Sequence, residues 1–285
     1  MHMWNVYDEL GIGIPSGILV EGCVVGKLWT TVRANGNIGV ARTLGDTSGD
    51  LEAVARSVMG KALRDVANHM HWDNLLLASI GVAAYNSFYN SADHVATLNA
   101  PPAFQGELAG KKVAVIGELP NLEAGLRGCA QVTALPLPES DALSGDYAAA
   151  LSGDFAFISG DALTNRTLPA LLKLVGKDTK VSLAGVSVPA APVLFAFDNP
   201  IHNLSGVYAV YDTTVEGAAL HDIADLAPGV GEFSVNPIPL NRVVDTDELR
   251  RFQASPYKAA AFNNAFNPWA GKDYDHSTWS PVFKG

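Results

Sequence analysis

The chain has 285 residues, 48% of them hydrophobic and 17% charged, a composition that excludes general disorder and leaves room for one large domain or two modest ones. Lys and Arg number 19 against 29 Asp and Glu, for a net charge of -10. With no basic run beyond Lys111-Lys112 and Arg250-Arg251, a nucleic-acid partner is not expected. No apolar run reaches a membrane span and no secretory signal opens the chain, so a cytoplasmic protein without membrane contact is expected.

In chain order, residues 4–17 form an amphipathic helix that brings Trp4, Val6, Tyr7 and Leu10 to one side and stops at Gly-Ile-Pro-Ser-Gly. Three strands are predicted next, at 18–25, 28–32 and 38–43. The last two are joined by Asn35-Gly36, a dipeptide suited to a tight hairpin. Two helices follow, over 51–69 and 75–89. The second reads LLLASIGVAAYNSFY and is apolar or small all round, so most of its surface is expected to be buried.

Pro101-Pro102 and the polar stretch to Gly110 mark a boundary. Beyond it, short apolar runs at 113–116, 132–135, 155–159, 181–184 and 207–211 alternate with helical stretches at 121–127, 146–151, 165–175 and 214–225. That alternation predicts a parallel sheet covered on both faces. The expected architecture is an α+β domain over 1–100, an α/β domain over 108–240, and an aromatic-rich extension over 241–285. Eight aromatic residues stand irregularly between Phe252 and Phe283, as in an extended arm packed on its own chain or a second subunit, or in a lid over a ligand. A homo-oligomer is accordingly expected. Cys23 and Cys129 lie far apart in apolar surroundings and read as buried free thiols.

Ligands of an open parallel sheet bind at the carboxyl ends of its strands, and the loops there carry the chemistry. Gly117-Glu118 follows the first strand of the second half. A single glycine with Pro120 three residues on departs from the three-glycine dinucleotide fingerprint, and Glu118 suits a ribose or an amine better than a phosphate. Ser159-Gly160-Asp161 and Thr164-Asn165-Arg166-Thr167 follow the third strand, with Thr164 a candidate helix cap and Arg166 a candidate partner for a carboxylate. Gly185-Val186-Ser187 follows the fourth. In the first half, His69 and His71 stand two apart. They share no helix face and converge on a metal only if the segment is extended and a third ligand such as Asp65 or Asp73 joins them. No nucleophile elbow, phosphate-binding loop or paired-histidine zinc motif occurs.

Trp4-Asn5-Val6-Tyr7-Asp8, the helix LLLASIGVAAYNSFYN, VAVIGELP, ISGDALTNRT and GVSVPAAPVLF occur in this order. Together they make the chain resemble, over about residues 1–230, a bacterial and archaeal family labelled for heavy-metal chelation. The resemblance implies an enolase-N-terminal-like domain followed by a Rossmann-like domain, with a small-molecule site in the cleft between them. It also implies partial likeness to Rossmann methyltransferases and a role near metallophore, flavin or pterin chemistry. The site residues it implies are Asn74, Ser79 and Asn86 from the first part and Gly117, Glu118, Ser159, Gly160, Asn165, Thr167 and Ser187 from the second. Ser159-Gly160 stands where a threonine-glycine pair is expected, and Phe197-Asp198-Asn199-Pro200-Ile201-His202 replaces a more glycine-like turn. The expected partner is a small polar ligand held by an enzyme or by a carrier. A divalent metal or S-adenosylmethionine are the candidate cofactors.

Overall fold

A hairpin built on Asn35-Gly36 shows how local sequence sets the first sheet. Both residues take positive φ, 51° and 72°, the turn geometry whose twist matches two antiparallel strands. In the computed structural model, which describes residues 5–98, 102–119, 122, 124–195 and 201–237, this turn follows helix α1 (Asn5–Ile12) and strands β1 (Val20–Val25) and β2 (Trp29–Ala34), and leads into β3 (Asn37–Arg42). The three strands form an antiparallel meander in the order β1-β2-β3.

The helix expected over 51–69 is broken. Gly60 takes a φ of 70° and separates α2 (Leu51–Arg56) from α3 (Leu63–Ala67), which runs into a 3-10 turn at Asn68–His71. Asp50 caps α2, its side chain accepting from the Ala53 amide at 2.9 Å. α4 (Leu75–Tyr89) is buried along nearly its whole length, as its composition predicts. It packs so closely on β3 that a Cβ at Gly39 would stand 2.0 Å from the Ser87 amide nitrogen and 2.1 Å from the Ala83 carbonyl oxygen. Only glycine permits that approach. α5 (Ala92–Leu98) closes the first half.

The second half contributes β4 (Lys112–Ile116), β5 (Gln131–Leu135), α6 (Gly145–Ala150), β6 (Phe155–Ser159), α7 (Asp161–Thr164), α8 (Leu168–Leu174), β7 (Lys180–Ala184), β8 (Ile201–Ala209), α9 (Asp212–Leu220) and β9 (Val230–Val235). Its sheet runs β5-β4-β6-β7-β8-β9, parallel except for β9, which pairs antiparallel with β8. β8 is longer than the strand expected at 207–211, and β9 carries no counterpart among the expected elements. The helix expected over 165–175 starts only at Leu168, because Arg166 takes a φ of 67° and ends α7 two residues earlier. Of the helix expected at 121–127, residues 124–127 are turn, while Asn121 and Glu123 lie outside the described residues. The aromatic extension and residues 197–200 also lie outside them.

One hydrophobic cluster runs through both halves, from Tyr7, Leu10, Val32 and Ile80 to Ile116, Ile158, Leu204 and Phe233. The halves are further tied by Asn90. Its amide donates to the Val188 and Val207 carbonyl oxygens at 2.9 and 3.0 Å and accepts from the Ala190 amide at 2.7 Å. On the far side, Arg33 of β2 holds Glu216 and Asp212 of α9 at 3.0 and 3.2 Å. Among the described residues no helix is long and apolar enough to cross a membrane. Cys23 and Cys129 are free but half-buried rather than fully enclosed.

Candidate functional site

Strand order reverses between β4 and β6: from β4 the chain moves outward to β5, then returns to place β6 on the other side of β4. The loops leaving β4 and β6 therefore diverge at their carboxyl ends, the place where open parallel sheets take ligands. Gly117 turns the chain there with a φ of 87°, and a Cβ on it would stand 2.7 Å from the Ser159 Cβ. Gly160 has equally little room, 2.6 Å from the Val188 side chain. The two glycines let three strand ends close up, so that the polar groups beside them meet.

Asp161 lies at the centre of that meeting. Its Oδ1 accepts the Ser187 hydroxyl at 2.7 Å, and its backbone amide donates to the Ser159 hydroxyl oxygen at 3.2 Å. Burial raises its carboxyl above the usual range. The Ser187 bond, the Arg42 charge and the Ser159 bond pull the other way, and Glu118 adds to the rise. Ser187 Oγ also accepts the Arg42 backbone amide at 3.0 Å, which fastens the end of β3 to the loop after β7. From there the Arg42 guanidinium reaches Glu118 at 2.5 Å and Asp161 at 3.8 Å. Four polar side chains from β3 and from the ends of β4, β6 and β7 thus share one seam.

Of the residues expected at a site, this seam gathers Gly117, Glu118, Ser159, Gly160, Asp161 and Ser187. Asn86 borders it from α4, donating to the Val40 carbonyl at 2.7 Å and the Val186 carbonyl at 3.2 Å. Those two acceptors fix the orientation of the amide, since a flip would set oxygen against oxygen. Its Oδ1 is then buried without a hydrogen-bond partner among the described residues. Ser79 is buried too and bridges the Leu44 amide at 2.9 Å to the Leu75 carbonyl at 3.0 Å, fixing the loop that follows Arg42.

The others stand elsewhere. Asn74 caps α4 on the surface, accepting from the Leu76 and Leu77 amides at 2.9 and 3.2 Å. Asn165 donates to the Pro138 carbonyl at 2.7 Å and accepts from the Thr167 hydroxyl at 2.7 Å, so both order their own loop. Arg166, the candidate partner for a carboxylate, donates to the Trp72 carbonyl at 2.6 Å and to Asp73 at 3.2 Å, both in the first half. Thr164 caps no helix. It ends α7, and its hydroxyl is buried without a partner among the described residues.

The metal expectation at His69 and His71 meets a different geometry. His69 is buried against the Trp72 ring at 4.7 Å, and that burial lowers its pKa, with Lys61 adding to the effect and Asp65 opposing it. His71 instead faces Asp8 at 3.3 Å. Among the described residues no group of three or more His, Cys, Asp or Glu side chains is placed to hold a metal ion. Among the described residues nothing adds support to the S-adenosylmethionine reading, and Glu118, on which it rests, pairs with Arg42.

Arg42 is the residue that sequence reasoning missed. Its only sequence signal is a basic side chain at the end of a returning hairpin strand, and nothing local says that this end abuts a second sheet.

Comparison with known proteins places these features in a family. Residues 7–89 and 102–224 match two family models, each described as "putative heavy-metal chelation". A protein of unknown function from Desulfitobacterium hafniense is 26% identical, over 82% of this chain and 98% of that one, with a TM-score of 0.72. A second protein of unknown function, from Pyrococcus horikoshii, is 15% identical over 83% of this chain and all of its own, with a TM-score of 0.58, a likeness of fold. No curated protein matches the chain. With both of its halves matched in the order the fold presents them, the chain belongs to the family that these models describe as "putative heavy-metal chelation".

Proposed function

We propose that the chain binds a small polar molecule connected with metal chelation, at the seam where Arg42 meets the ends of β4, β6 and β7. The observation that carries this reading is the convergence of Arg42, Glu118, Asp161 and Ser187 at the point where strand order reverses. The family description supports the link to metals. On this reading the guest supplies the donors of the ion, and the protein recognises the guest. Rossmann-like and enolase-N-terminal-like are the fold names that fit this reading, with the second half supplying the loops and the first half closing over them.

Native mass spectrometry of protein purified from its own host tests the reading. The expected result is a retained small molecule, with or without a metal ion, that is depleted in Asp161→Ala and in Ser187→Ala. Protein of bare chain mass, together with no thermal shift across a panel of chelators, would overturn it.

A further inference from the structure

The two carboxylates that face Arg42 are not equivalent. Asp161 is 12% exposed at its side chain and is fixed by Ser187 and Ser159. Glu118 is 74% exposed, stands on a turn, and meets Arg42 alone among its side-chain contacts in the described residues. An ion pair that open to water contributes little, and exchanging it for another carboxylate costs little. The backbone of Arg42 is fastened by Ser187, and its half-exposed guanidinium lies within reach of both carboxylates. The guanidinium thus faces one buried carboxylate at 3.8 Å, held by its own hydrogen bonds, and one exposed carboxylate bonded to it directly.

We propose that Arg42 is the carboxylate anchor of the site and that Glu118 occupies it as a resident surrogate, displaced when a carboxylate-bearing guest arrives. This rests on the reading of the seam as a binding site. Once displaced, Glu118 stands beside the guest with a free negative charge, and the single positive charge of Arg42 now faces Asp161 and the incoming carboxylate. An amine on the guest restores the balance, whereas a dianionic phosphate worsens it. The guest is therefore an aminocarboxylate, a zwitterion whose acid end replaces Glu118 and whose ammonium then pairs with it. Independent of the charges, the Asn86 amide nitrogen bonds the carbonyls of Val40 and Val186, two residues from Arg42 and one from Ser187, while its Oδ1 is buried without a hydrogen-bond partner among the described residues. The seam thus keeps a hydrogen-bonding acceptor that the protein's own described groups leave unmatched.

Calorimetric titration with iminodiacetate, an aminocarboxylate, and glutarate, its amine-free counterpart, separates the parts. The parent is expected to bind iminodiacetate more tightly than glutarate. Glu118→Gln removes the competitor and should raise glutarate affinity about two- to fivefold, the range set by a solvent-exposed pair. The same change should erase the preference for iminodiacetate, since the amine loses its partner. Arg42→Gln should bind neither probe, and Arg42→Lys, which keeps the charge and much of the packing, guards against misfolding by retaining weak binding. Unchanged or weaker glutarate binding in Glu118→Gln overturns the surrogate role, and parent-like binding in Arg42→Gln overturns the anchor. If the parent binds neither probe while native mass spectrometry shows a retained molecule, the aminocarboxylate inference fails and the binding site stands. If no molecule is retained either, both fall.

Discussion

Replacing Glu9 by Gln should change the pH dependence of stability in a calculable way. Glu9 lies on α1 with 4% of its surface exposed and one carboxylate oxygen unpartnered among the described residues. Burial, reinforced by the neighbouring Asp8 charge, pushes its carboxyl up from 4.5 to about 7. Because the folded pKa is the higher one, the group's contribution is fully present below about pH 4 and is lost as pH rises through 7. Between pH 5 and pH 8 the loss amounts to about 2–3 kcal/mol. Glutamine fills nearly the same volume and does not titrate. The stability of Glu9→Gln relative to the parent should therefore rise by about 2–3 kcal/mol across that interval. Urea unfolding at pH 5, 6, 7 and 8 measures the difference directly. Two stability profiles that stay parallel would refute the argument, whatever their absolute height.

Four further outcomes are expected. Gly39→Ala would drive a Cβ into the backbone of α4, and should lower stability by about 3 kcal/mol, toward the upper end of overpacking costs, a loss that an unchanged denaturation midpoint would contradict. Asn90→Ala removes three hydrogen bonds between the halves and strands buried backbone groups, so chemical denaturation should report a loss of about 2–4 kcal/mol. Asn86→Ala, which also discards an unpartnered acceptor, should cost less by the same measurement. His69→Ala combined with His71→Ala should leave the metal content of the purified protein unchanged by elemental analysis, since the two rings face different partners, and a fall to half or less would restore them as ligands.

Local signals carried much of the fold. The Asn35-Gly36 turn, the buried α4 and the alternation that gives the parallel sheet are each written in neighbouring residues, where periodicity and turn chemistry act. The failures share a cause. Gly60 and Arg166 break predicted helices by taking positive φ, which a glycine permits quietly and which an arginine adopts here while holding the Trp72 carbonyl across the molecule. That Gly117, Glu118, Ser159, Gly160, Asp161 and Ser187 lie together was legible because strand ends are recognisable in the sequence. Asn74 caps α4 away from the seam, and a capping asparagine and a binding asparagine look alike in sequence. Arg42 was missed because the contact that gives it a role lies 76 residues away at Glu118 and 119 away at Asp161.

The apolar cluster shared by the two sheets also bears on how such a chain can evolve and be handled. Although separate family models match residues 7–89 and 102–224, one oil layer draws on both stretches. Severing the backbone between Leu98 and Pro102 would give fragments that are sticky singly and reassemble when mixed. Recombination that swaps one stretch for a distant cousin's would need the opposite wall to be remodelled in step, so the two should drift through sequence space as a tethered pair.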